Sequence, residues 1–180
     1  MLISNAFQLC SRVMVFICFG FLVCHADAEG PKFGRPATVE EIAAVDISIP
    51  PDGDGLPPGS GDAQIGKSVY VQKCASCHAQ EGKGTPADAL VGGVGSLASA
   101  QPVKTVGSYW PYATTLFDYI RRSMPLNAPM SLTNDEVYAV TAYLLAINGI
   151  VSTDQSLNAD SLPLVRMPNR NGFIDRSGVR

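Results

Sequence analysis

The chain has 180 residues and a formal net charge of −3, from 13 Lys and Arg side chains against 16 Asp and Glu side chains. A slightly acidic chain matches the phosphate backbone of a nucleic acid poorly, so we expect no nucleic-acid partner. The length suits one domain with extensions.

The first 28 residues have the pattern of a secretory signal peptide. Arg12 precedes an apolar run over residues 13–24, and Ala26-Asp27-Ala28 fits the small-x-small rule for cleavage. The run holds about a dozen residues, whereas a membrane span needs ~20. We therefore predict a periplasmic protein that is cleaved after Ala28 and keeps no membrane anchor. An uncleaved anchor is the alternative.

Cleavage would leave few cysteine and histidine side chains. The leader contains Cys10, Cys18, Cys24 and His25, so the mature chain keeps only Cys74, Cys77 and His78. A zinc site with four protein ligands cannot be built from that set. A metal site with two histidine ligands is likewise excluded within one chain.

Residues 29–61 are predicted to be a Pro- and Gly-rich N-terminal extension. Thr38 and Glu41 form a capping box, which indicates a short helix. Asp52 and Asp54 hint at a calcium loop, but the later ligands of that motif are missing. We interpret them as turn residues in a solvated loop.

Residues 62–150 are predicted to form the main domain, beginning with a helix over 62–73. Ser60 or Asp62 would cap this helix, with Ile65 and Val69 on one face. Gly66 lowers helix stability by ~1 kcal/mol relative to alanine. A glycine at this position therefore indicates that another backbone packs closely against it.

The motif Cys74-Ala75-Ser76-Cys77-His78 follows this helix. In an exported protein, C-x-x-C-H is typical of a c-type haem attachment site. Two thiols one turn apart can bond the two vinyl groups of one porphyrin, and the adjacent imidazole can bind its iron. A redox C-x-x-C module is the alternative, but its βαβ context is missing.

Two further core helices are expected. The second starts with Pro111 in its first turn and ends before Pro125. The third is capped by Thr133 and ends at Asn148-Gly149. Residues 151–180 are predicted to be an irregular C-terminal segment that wraps back on the domain. Three methionines outside the leader are candidates for a second iron ligand: Met124, Met130 and Met167.

The arrangement resembles the class I cytochromes c, an all-α fold with three core helices around one covalent haem. More specifically, it resembles the first haem domain of SoxD, the cytochrome subunit of the Sox sulfane dehydrogenases. The resemblance covers nearly all of the chain after the leader. The matching residues include Phe33-Gly34-Arg35-Pro36-Ala37-Thr38, Gly53-Asp54-Gly55-Leu56-Pro57, Gly107-Ser108-Tyr109-Trp110-Pro111-Tyr112-Ala113, Arg122-Ser123-Met124-Pro125 and Met167-Pro168-Asn169.

The resemblance implies a function and a ligand. It favours Met124 as the ligand opposite His78, with Met130 as the runner-up. It implies single-electron transfer from a molybdenum-containing sulfite or sulfane dehydrogenase to a downstream cytochrome c, without bond chemistry on this chain. The full SoxD pattern has a second haem domain, whereas one motif is present here, which leaves the catalytic partner open. The alternative is a haem enzyme with an open iron site that acts on thiosulfate or peroxide.

Overall fold

A computed structural model describes residues 33–174 of the chain. The predicted signal peptide and the cysteines within it lie outside the described residues. The described residues fall into two compact units that divide after Ala44. In the first unit, helix α1 (Val39–Ala43) has the predicted capping box. The Thr38 side chain accepts the N–H of Glu41, and the Glu41 carboxylate accepts the N–H of Thr38.

The second unit contains four further helices. They are α2 (Ala63–Lys73), the one-turn α3 (Ala75–His78), α4 (Ala113–Ser123) and α5 (Asn134–Ile147). Three short 3₁₀ segments lie between or after them, at Gln80–Gly82, Ser96–Ala98 and Leu162–Leu164. Two short strands, β1 (Ser60–Gly61) and β2 (Leu157–Asn158), pair antiparallel with Gly61 opposite Leu157.

Helices α2 and α5 cross at small residues. A Cβ atom placed on Gly66 would lie 1.9 Å from the carbonyl oxygen of Ala139, so glycine is needed for this close approach. Beside the crossing, the rings of Tyr70 and Tyr143 lie 5.2 Å apart between centroids. The prediction that a backbone packs against Gly66 is thus confirmed, and the backbone belongs to α5.

The faces and ends of the helices follow the sequence with two corrections. Asp62 caps α2 by accepting the N–H groups of Gln64 and Ile65. The predicted apolar face was wrong in one respect, since Ile65 is 57% exposed. Helix α4 begins at Ala113, so Pro111 lies before the helix and not in its first turn. The predicted Thr133 cap and capping box of α5 are confirmed.

Two side chains of helix α4 form hydrogen bonds with the backbone of residues 46–51. The buried carboxylate of Asp118 accepts the N–H of Ile49 at 3.0 Å and is paired with Arg122. The hydroxyl of Thr114 donates to the carbonyl of Pro51 at 3.0 Å. Ile49 itself is 3% exposed and belongs to the core. Residues 46–51 therefore pack on α4, although their composition is that of an extension.

The segment after α5 also supplies core side chains. Leu157, Leu162, Val165 and Met167 are all buried in the same cluster as the helices. The amide of Asn169 donates to the carbonyl of Tyr109 at 2.8 Å. The polar chain that follows the last helix therefore packs on the domain through a few apolar residues, and Asn169 bonds it to Tyr109, just before α4.

Candidate haem-attachment site

The C-x-x-C-H motif forms a single helical turn at the end of α2. Cys74 ends α2, with its N–H donating to the carbonyl of Tyr70 at 2.9 Å. The carbonyl of Cys74 then accepts the N–H groups of Cys77 and His78 at 3.1 and 3.0 Å. The two cysteines and the histidine therefore share one turn, which is the spacing that attachment to one porphyrin needs.

The two thiols differ in exposure. Cys74 is partly buried, Cys77 is exposed, and neither is in a disulfide. Burial, followed by the nearby Cys77, raises the pKa of the Cys74 thiol to about 11. Redox-active C-x-x-C motifs instead lower a thiol pKa to stabilise the thiolate. The environment of Cys74 therefore argues against a redox C-x-x-C module.

The imidazole of His78 is oriented by a backbone group. Its Nδ1 atom lies 2.9 Å from the carbonyl oxygen of Asp88. A carbonyl only accepts, so Nδ1 must carry the hydrogen, and in the neutral ring Nε2 keeps a free lone pair. Metal-binding histidines commonly have this arrangement, because the bond fixes the tautomer and makes the ligand nitrogen more basic.

The chain between His78 and Asp88 is shaped by unusual backbone angles. Ala79 and Glu81 have positive φ values of 58° and 56°, and Gly84 has one of 87°. The N–H of Gly84 donates to the carbonyl of His78 at 2.9 Å, which closes the first bend. The role of Asp88 was not predictable from its residue type, because the group that contacts His78 is a backbone carbonyl. The glycines after the motif were the available signal for a tight return.

Tyr70, on helix α2, forms a hydrogen bond with the residue that follows the motif. Its side chain is 1% exposed, and its hydroxyl donates to the carbonyl of Ala79 at 2.9 Å. Burial, followed by the nearby Cys74, raises the pKa of Tyr70 to about 12, so the hydroxyl stays a donor at neutral pH. The turn that carries His78 is therefore tied to α2 by side chain as well as backbone.

The three candidate methionines lie in different environments. Met124 is the C-cap of α4 and is half-buried against the edge of the core. Met130 is 63% exposed with a φ of 61°, and Met167 is 3% exposed within the core. Of the three, only Met124 is neither largely exposed nor enclosed in the core.

The residues present fit a covalently attached haem. Two free thiols and an imidazole lie on one turn, and the Nε2 atom of the imidazole is available as a ligand because the bond to Asp88 uses Nδ1. Half-buried apolar side chains at the edge of the core offer surface to a flat group; they include Leu90, Trp110, Met124 and Leu132. Within residues 33–174, no group of three or more His, Cys, Asp or Glu side chains is placed to hold a bare metal ion.

None of the helices among residues 33–174 has both the length and the apolar character needed to cross a bilayer.

Comparisons with known proteins agree with this geometry. The family model described as cytochrome c matches residues 63–148. The chain is similar to a chain in the crystal structure of the sulfane dehydrogenase SoxCD from Paracoccus pantotrophus, with 44% identity and a TM-score of 0.74. That match covers 82% of this chain and 73% of the other. None of the curated proteins matches significantly. The predicted all-α class I fold is confirmed, and the chain belongs to the cytochrome c family as a SoxD-like member.

Proposed function

We propose that this protein is a mono-haem c-type cytochrome that transfers single electrons. Membership of the cytochrome c family implies a covalently bound haem c. In the proposal, Cys74 and Cys77 would form the two thioether bonds, and His78 and Met124 would be the two protein ligands of the iron. The haem supplies a one-electron couple, and the protein supplies ligands, orientation and a low-polarity surrounding.

The observation that carries the proposal is the contact between His78 and Asp88. The 2.9 Å distance from Nδ1 to the Asp88 carbonyl leaves Nε2 as the free ligand atom. Both thiols lie within the same turn and are free to react. A structural histidine would have no need of two adjacent free cysteines, so the combination supports haem attachment.

Met124 is proposed as the second ligand because of its place in the fold. It ends the amphipathic helix α4 and is held there by its N–H, which donates to the carbonyl of Ile120 at 3.0 Å. Leu116, Phe117 and Ile120 bury the preceding turns of the helix in the core. A ligand at the end of an anchored helix has a fixed position, whereas Met130 lies on an exposed loop.

With both His78 and Met124 as ligands, the iron would have no open position for a substrate, which favours electron transfer over substrate chemistry. Similarity to a chain of a sulfane dehydrogenase supports a molybdenum-containing sulfite or sulfane dehydrogenase subunit as electron donor. A downstream cytochrome c would be the acceptor. We place the protein in the periplasm, after cleavage of residues 1–28, because the leader has the pattern of an export signal. Thioether bonds would keep the haem from being lost outside the cytoplasm.

The ligand assignment is tested with a matched pair of methionine variants. Met124→Ala should lose the far-red absorption band that reports a methionine–iron bond, while its haem stays covalent in denaturing electrophoresis. Met130→Ala, in the same loop, should keep the band. Loss of the band in Met130→Ala alone would overturn the assignment of Met124. Release of the haem on denaturation would overturn the attachment.

Electron transfer is tested by ligand binding and by reduction with a partner. The oxidised protein should bind cyanide slowly at neutral pH, whereas rapid binding would favour the alternative haem enzyme. A copurifying molybdenum subunit should reduce the haem when its sulfur substrate is added. Absence of reduction by any copurifying subunit would contradict the proposed donor.

A further inference from the structure

The side chain of Asn148 uses both of its amide hydrogens. Asn148 is the C-cap of α5, and its Nδ2 atom donates to the carbonyls of Leu144 at 2.8 Å and Leu90 at 3.0 Å. Because both neighbours are carbonyl oxygens, the nitrogen must face them and Oδ1 must point away. The orientation of this amide is therefore set by its surroundings.

The amide oxygen of Asn148, unlike the nitrogen, accepts no hydrogen bond from the described residues. This oxygen, Oδ1, is buried. A Cβ atom placed on Gly107 would lie 2.3 Å from it, so the amide fits only because residue 107 is glycine. Leaving a buried acceptor unpaired is unfavourable. The two donated bonds must offset that loss, which points to a role for them.

The bond to Leu90 holds the base of the loop that orients His78. The N–H of Leu90 donates to the carbonyl of Gly82 at 2.7 Å, which closes a loop over residues 82–90. Within this loop, two residues before Leu90, lies Asp88, whose carbonyl is 2.9 Å from Nδ1 of His78. Asn148 is thus joined to the histidine through one short, closed piece of backbone.

We propose that Asn148 is a positioning residue that sets the hydrogen bond between His78 and Asp88, and through it the reduction potential of the haem. The inference rests on the proposed function, because it takes His78 as the iron ligand. A strong bond at Nδ1 gives the ligand more anionic character and favours the ferric state. Loosening the loop should weaken that bond and raise the potential.

The test uses two variants that disturb the amide from opposite sides. Asn148→Leu keeps a similar shape but has no hydrogens to donate to Leu90. Gly107→Ala leaves the amide intact and displaces it. Both should raise the reduction potential and speed the exchange of the His78 Nδ1–H with deuterium, observed by NMR. Both should keep the covalent haem and the far-red band.

Thr133→Ala is the matched control. It removes the cap at the other end of α5 and so destabilises the same helix without touching the loop. Its potential and Nδ1–H exchange should equal those of the unmodified protein. If Asn148→Leu and Gly107→Ala shift neither quantity beyond the control, the positioning role is wrong. Since the haem and the far-red band are scored separately, failure of the proposed function would be recognised as such.

If Asn148→Leu does not fold, the smaller change Asn148→Ala takes its place. Gly107→Ala does not decide alone, because the neighbouring Val106 also donates its N–H to the Leu90 carbonyl, at 3.3 Å. A double variant sharpens the result. The potential of Asn148→Ala/Gly107→Ala should match that of Asn148→Ala, since alanine has neither the hydrogens that Leu90 accepts nor the amide oxygen that the methyl group displaces. Fully additive shifts would show two independent effects and would overturn the proposed path.

Discussion

Replacing Gly66 with alanine tests the crossing of α2 and α5, on which the position of the haem motif depends. The new methyl carbon would lie 1.9 Å from the Ala139 carbonyl oxygen, 2.5 Å from its carbonyl carbon and 2.8 Å from the Cβ of Tyr143. Two of these atoms belong to the backbone of a well-packed helix. They cannot move aside as a side chain would, so the helices must separate.

The size of the effect follows from two opposing contributions. Alanine favours a helix over glycine by ~1 kcal/mol. Forcing an extra methyl group into a packed interior typically costs about 1–3 kcal/mol, and contact with backbone lies at the upper end or beyond. The clash prevails, and we expect the free energy of unfolding of Gly66→Ala to fall by about 2 kcal/mol.

The assay is urea unfolding of the haem-loaded protein. With a slope of about 1–3 kcal/mol per molar urea, the midpoint should fall by about 1 M while the slope stays unchanged. Ser68→Ala is the control, because Ser68 is exposed on the same helix and its substitution should change stability by less than about 0.5 kcal/mol. A midpoint of Gly66→Ala equal to or above the unmodified protein would refute the close-packing argument.

Two further predictions concern buried polar groups. Burial raises the pKa of Tyr138 to about 12 from its ordinary value of 10.0. Stability linked to the protonated phenol is therefore fully present below pH 10 and is lost as the pH rises towards 12. Tyr138→Phe, which also loses a 2.9 Å bond to the Pro57 carbonyl, should be about 1 kcal/mol less stable at neutral pH and lose less stability over that alkaline range. Asp118→Asn should cost about 1 kcal/mol, because the Arg122 side chain in the pair is 42% exposed and partly screened.

Both predictions have internal checks. For Tyr138→Phe, urea midpoints are measured between pH 10 and about 12. If the variant and the unmodified protein lose equal stability over that range, Tyr138 does not contribute to the pH dependence. For Asp118→Asn, the deficit should shrink in high salt, which weakens the ion pair in the unmodified protein. A deficit that does not depend on salt would show that the loss does not come from the ion pair with Arg122.

The amino-acid sequence by itself determined the local features of the fold. The capping boxes at Thr38 and Thr133 were predictable because the groups that bond lie three residues apart. The end of α4 before Pro125 follows from proline's effect on the preceding residue. The C-x-x-C-H spacing likewise predicts the attachment motif, since the two cysteines and the histidine lie on one turn.

Tertiary structure decided what joins distant segments. Helix α4 starts at Ala113, two residues later than predicted from Pro111. Helical propensity alone does not locate the first turn, because the start also depends on which residues pack in the core. The partner of His78 is a backbone carbonyl, and every residue has one, so no residue type marks Asp88. Asn148 and Gly107 lie 41 positions apart and matter only because the folded chain places an amide oxygen against a bare Cα. Such contacts depend on distance in space, which a one-dimensional pattern does not record.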